Sequence, residues 1–208
     1  MSSIQDRPRE YPSGLAADVA DLDHVALRDR WGLALVKIGW FHLVIFSFCQ
    51  LLYGRGDRAE THFLPLWGVD LAAAIVIFRA YLRRPIPSLF TPVARVWITF
   101  LILTFSTATM NSLVGFETDW FKAVWATLGT FGFATMAWIF NLRFLVPAVQ
   151  MSLTAMLIAR LPDYAYGIYG VSWCIALNLV GLALERRRVV GVASAPRSAS
   201  VVQTVEVG

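Results

Sequence analysis

From Trp31 to Leu184 the sequence is a succession of apolar stretches separated by short polar or proline-bearing loops. A helix needs about 20 mostly apolar residues, at ~1.5 Å rise each, to cross the hydrocarbon of a bilayer. About six stretches meet that demand: residues 31–53, 63–82, 93–114, 120–141, 144–161 and 165–184. The expected fold class is therefore all-α, a polytopic integral membrane protein built as a bundle of about six transmembrane helices. Composition agrees, at 57% hydrophobic and 15% charged with a mean hydropathy of +0.60. Soluble domains carry nearer a quarter charged residues, so lipid is the simplest account of the apolar excess.

The flanks divide the chain into three parts. Residues 1–30 read as a cytoplasmic N-terminal segment. Its first part has Pro8, Pro12 and Gly14 and little apolar content. Leu15, Val19, Leu22 and Ala26 then recur at helical spacing, which predicts a short amphipathic helix over 15–30, acidic on its other faces. That acidity opposes binding to anionic lipid and reads first as a solvated helical lead-in, with contact to a basic loop such as Arg83 and Arg84 as the alternative. Residues 31–184 form the transmembrane domain. Residues 185–208 read as a flexible cytoplasmic tail behind the stop cluster Arg186, Arg187 and Arg188. No cleavable signal peptide is expected, because no apolar core follows a short basic start.

Six spans put both termini on one side, and charge says which. Of the 18 basic residues, thirteen fall on the side of the termini and four (Arg55, Arg58, Lys122 and Arg160) on the other, with Lys37 inside the first span. That bias places both termini in the cytoplasm and the protein in the cell (inner) membrane. Trp31, Trp67, Trp97 and Trp120 lie near predicted span ends, where amphipathic rings favour the headgroup region.

Ionisable groups inside a span are costly and mark sites by default. His42 lies near the middle of the first span and Asp70 in the second. At ~1.5 Å per residue the two differ in depth by about 4 Å. Spans joined by a short loop are usually neighbours, so a His42–Asp70 hydrogen bond is geometrically possible, either as a buried polar link between helices or as a pair that carries protons or binds a polar group. Each partner would stabilise the other's charged form. Thr104, Thr107 and Asn111 form a polar stripe, and Gly170, Cys174, Asn178 and Gly181 share one face. His42, Asp70, Asn111 and Asn178 are the candidates to ring a mid-membrane polar site. Lys37 and Arg79 are near enough to the inner surface to snorkel. Pro147 is positioned to kink the fifth span. The small-residue faces also suit plain helix packing.

Enzyme chemistry finds little footing. HExxH, GxSxG and Walker A sequences are absent. One intramembrane histidine falls short of the two that a b-type haem takes from facing helices, so no cofactor or metal is expected. Cys49 and Cys174 differ in depth and read as packing residues. The acidic residues and His62 near Gly54 read as a solvated turn. Two functions remain. One is a small-solute carrier or ligand-binding membrane component. The other is a non-catalytic subunit or scaffold, meeting a membrane partner or a second copy. The bilayer is the common partner, and nucleic acid is not expected.

Overall fold

The computed structural model describes residues 24–56, 60–81, 90–114 and 120–194. Every regular element among them is helical. Six helices are long: α1 Trp31–Gly54, α2 Glu60–Tyr81, α3 Phe90–Val114, α4 Trp120–Ile139, α5 Leu145–Arg160 and α6 Ala165–Ser194. Single 3-10 turns, Leu142–Phe144 and Pro162–Tyr164, flank α5.

Five stretches among the described residues are long and apolar enough to cross a membrane, and α4 is not among them. Lys122, Thr127, Thr130, Thr135, Gly129 and Gly132 dilute its hydropathy. The surface points the same way as the lengths. Trp40 is 57% exposed, Val76 67%, Ile102 59%, Trp138 79% and Met156 63%, and they sit on five different helices. Soluble monomers rarely expose contiguous apolar patches beyond a few hundred Å². These outward apolar faces mark a membrane-embedded protein.

Several hydroxyls on the helices are satisfied within their own helix. Ser47 donates to the Leu43 carbonyl at 2.7 Å, Thr104 to Phe100 at 2.8 Å, Thr127 to Ala123 at 3.0 Å and Thr135 to Phe131 at 2.8 Å. Such back-bonding removes polar groups that lipid cannot solvate.

The most extensive helix pair is α1 with α6. Glycine makes it possible. A Cβ on Gly32 would stand 2.4 Å from the Gly181 carbonyl oxygen, and one on Gly181 2.5 Å from that of Gly32. Backbones can approach this closely only where both residues lack a side chain. Further along the seam, a Cβ on Gly170 would meet Phe46 Cβ at 2.6 Å.

At one end of the bundle Ala26 and Trp31 pack with Phe78, Tyr81, Val93 and Phe140, gathering the starts of α1 and α3 with the ends of α2 and α4. Arg30, at φ 57°, makes the left-handed corner into α1. At the other end Gln50 stitches α1 to the α5–α6 connection. Its Nε2 donates to the Asp163 carbonyl at 2.7 Å, and its Oε1 accepts from the Gly167 amide at 3.0 Å. The second bond satisfies a backbone donor in the first turn of α6, where no intrahelical partner exists.

Several expectations need correction. The flexible tail expected from 185 begins as helix: α6 runs on through Arg186–Arg188 to Ser194. Arginine is a good helix former, and Arg188 Nη1 lies 3.2 Å from Glu185 Oε2 one turn back. Pro147 does not kink a span; it is the third residue of α5, where no intrahelical amide bond is lost. Pro65 instead lies inside α2, which starts at Glu60 and takes in part of the expected loop. Of the lead-in helix expected over 15–30, residues 24–28 are helical. Its first part, Arg83 and Arg84 lie outside the described residues.

Candidate functional site

On α1, His42, Phe46, Cys49 and Tyr53 recur at helical spacing and share one face. Phe46, Cys49 and Tyr53 are buried on it. That periodicity aims His42 at the bundle, and α2 returns antiparallel beside α1. His42 Nδ1 lies 2.6 Å from Asp70 Oδ2, the pairing that similar depth on neighbouring spans makes possible. Neither group is sealed, with side-chain exposures of 14% for His42 and 16% for Asp70.

The imidazole is held by aromatic walls. It stacks on Phe46 at 4.2 Å between centroids, with Tyr169 at 5.8 Å and Trp173 at 5.9 Å. His42 Nε2 is buried and has no hydrogen-bond partner among the described residues. With Asp70 accepting from Nδ1–H, Nε2 carries a lone pair in the neutral ring and a second N–H in the cation. Nε2 therefore has one unused hydrogen-bonding position, an acceptor or a donor according to the state of the ring.

Those walls belong to a larger aromatic core. Trp173 meets Trp97, Phe100 and Phe133 at 5.9, 5.7 and 5.4 Å. Trp125 meets Tyr169 at 5.8 Å and Trp67 at 4.7 Å. Trp125 Nε1 also donates to the Thr104 carbonyl at 2.8 Å and to Thr107 Oγ1 at 3.1 Å, tying α4 to α3. Two of the four tryptophans expected as headgroup anchors, Trp31 and Trp67, are buried at 8% and 5% exposure. Trp97 packs inward as well. These large rings are packed against other helices, where their apolar area is buried.

The other two candidates stand apart from the pair. Asn178 lies on the α1–α6 seam, within reach of Gly39. Its Nδ2 donates to the Cys174 carbonyl at 2.7 Å and contacts Cys174 Sγ at 3.3 Å. Asn111 is half-buried near the far end of α3. The face carrying Gly170, Cys174, Asn178 and Gly181 packs against α1, at Phe46, Gly39 and Gly32. Lys37 Nζ sits 5.3 Å from the Tyr81 ring at the end of α2.

The most unexpected group is Lys122, expected at the outer surface yet only 2% exposed. Its Nζ lies 3.8 Å from the Tyr53 ring centroid, 4.6 Å from Tyr166 and 5.5 Å from Phe121. An ammonium over aromatic faces is attracted by their quadrupoles. The sequence held one clue, two tyrosines at the same end of the first and sixth spans. Which helices meet was not written locally.

Among the described residues no three His, Cys, Asp or Glu side chains gather to hold a metal ion. Cys49 and Cys174 are both buried and free. No protein-family model, curated protein or solved structure matches the chain.

Proposed function

We propose that the protein is a six-span carrier, or ligand-binding membrane component, for a small polar solute, with its site at His42 and Asp70. One observation carries the reading: an ionisable pair 2.6 Å apart at mid-span that is not sealed and whose imidazole keeps a buried, unpartnered nitrogen. Charge at the bilayer centre costs several kcal/mol, so such residues face a cavity or a polar partner. A solute reaching Nε2 would complete the imidazole's hydrogen bonding, and a proton exchanged there would change the charge of the pair. Asn111 and Asn178 are proposed as further polar groups along the solute's route rather than as contacts to the pair.

The sixth span is α4. Its threonine hydroxyls bond its own carbonyls and Lys122 is enclosed, so neither bars it from lipid. Both termini are cytoplasmic in the cell (inner) membrane, on the strength of the thirteen-to-four distribution of basic residues. Single cysteines in a background lacking Cys49 and Cys174 test this. One placed at Gly56 should label from outside with an impermeant thiol reagent, and one at Ser194 only after permeabilisation.

The functional test is a stability screen of the purified protein against amino acids, amines, sugars and organic acids. A ligand at 100 times its Kd raises native stability by about 2.7 kcal/mol. Some class should stabilise the wild type and leave His42→Gln and Asp70→Asn unmoved. If a class stabilises the wild type and both variants alike, or if no class acts while either variant lowers stability, the pair is a structural link.

A second reading, a non-catalytic subunit, is favoured by α2. That helix packs chiefly on α1 and leaves Leu64, Val69, Ile75 and Val76 outward. Co-purification of a stoichiometric partner chain would support it.

A further inference from the structure

A groove of about 760 Å³ runs between α5 and α6 on the outer surface of the bundle. Val146, Leu153 and Leu157 form one wall, and Val171, Ile175 and Leu179 the other. All six are exposed. From Val146 to Leu157 the wall is about 16 Å long at ~1.5 Å per residue. An extended acyl chain of a membrane lipid is of about that length.

The polar groups beneath the groove are turned on one another. Gln150 Nε2 donates to the Ser172 carbonyl at 2.7 Å and to Ser172 Oγ at 3.1 Å. Thr154 Oγ1 donates to the Gln150 carbonyl at 2.9 Å and meets Ser172 Oγ. Gln150 Oε1 is buried and has no hydrogen-bond partner among the described residues. An occupant therefore meets an apolar trough with no hydrogen bond on offer along its length.

Only the end at the α5–α6 connection is polar. Tyr164 lines that end and is 63% exposed. Arg160 follows Leu157 by three residues, on the same face of α5 and in its last turn. Asp163, also exposed, lies between them in sequence. A guanidinium matches the oxygens of a phosphate, and a phenol ring sits well at headgroup level. Apolar length and an exposed arginine one turn beyond Leu157 describe a phospholipid better than a partner helix, which would need no charge there.

We propose that this groove is a binding site for one phospholipid of the leaflet at the α5–α6 connection, with an acyl chain in the groove and the phosphate on Arg160. The site rests on α5 and α6 being spans and is independent of the reading of His42 and Asp70.

The test is native mass spectrometry of delipidated protein titrated with phosphatidylethanolamine, and in parallel with diacylglycerol of the same chains. Wild type should retain one phosphatidylethanolamine and far less diacylglycerol. Val171→Trp fills the groove from an exposed position and should lose that lipid. Val76→Trp, on the outward face of α2, should retain it. Arg160→Gln should weaken retention about 2- to 5-fold, the worth of an exposed ion pair. Buried Cys49 and Cys174 report whether each variant is folded, since they react with thiol dyes only on unfolding. Equal retention by wild type and folded Val171→Trp overturns the proposal. So does equal loss from Val76→Trp, or a dimer that Val171→Trp dissociates without changing lipid retention.

Discussion

Gly181→Ala should loosen the α1–α6 seam. The added Cβ would sit 2.5 Å from the Gly32 carbonyl oxygen, 2.9 Å from Val36 Cγ2 and 3.3 Å from the Val36 amide nitrogen. Ordinary contact begins at 3.4 Å, so the nearest approach is short by about 0.9 Å, and the obstacle is backbone. Separating packed surfaces by ~0.5–1 Å forfeits a quarter to a half of each contact's attraction. Overpacking of this kind costs about 1–3 kcal/mol. Alanine's better helix propensity offsets up to ~1 kcal/mol of it. The net loss is about 1–2 kcal/mol, which for a chain of this size lowers Tm by ~2–8 °C. The readout is fluorescence of a thiol dye during heating in detergent, because both cysteines are buried until the bundle opens. Gly68→Ala is the control, since its Cβ would meet nothing within 4 Å. It should melt at or up to ~4 °C above wild type, for it gains propensity without a clash. The reasoning fails if Gly181→Ala melts with or above wild type, or if Gly68→Ala falls as far.

Three other outcomes follow from the same coordinates. Asp70→Leu alone should cost about 3–5 kcal/mol by stranding His42, whereas Asp70→Leu with His42→Phe should recover most of it, read as melting points in the same assay. Lys122→Met should lower Tm, because attraction to the Tyr53 and Tyr166 faces is worth about 2 kcal/mol when desolvated; unchanged melting would mean that the rings do not hold the ammonium. Trp125→Phe should cost about 1 kcal/mol through its lost Nε1 bonds, and a double-mutant cycle with Thr107→Val should recover only the Thr107 share, since the Thr104 carbonyl bond remains.

Much of the architecture was legible because bilayer thickness imposes a length that apolar runs either meet or miss. The helices begin and end within a few residues of the expected spans, apart from α6, which carries on past Leu184. Asp70 and His42 were legible as a pair because depth along a span is a one-dimensional quantity. Asn111 and Asn178 could be placed in depth too, but not in rotation about neighbouring helices. The connection after α4 was not legible: the expected span took in Asn141, whereas the helix ends at Ile139 and Asn141 Oδ1 accepts from the Arg143 amide at 2.9 Å, capping the 3-10 turn.

By itself the sequence determined helical class, segment lengths, the mid-depth ionisable pair and the asymmetry of basic residues, all properties written along a single chain. Tertiary structure alone decided which faces meet. It turned Trp67 and Trp97 inward, enclosed Lys122 between tyrosines of α1 and α6, and used Gln50 to close the α5–α6 connection. In lipid, apolar surface has almost no preference between a neighbouring helix and an acyl chain, so hydrophobic pattern cannot select partners. Close backbone approach at Gly32 and Gly181, and the mutual fit of large rings, make that selection instead.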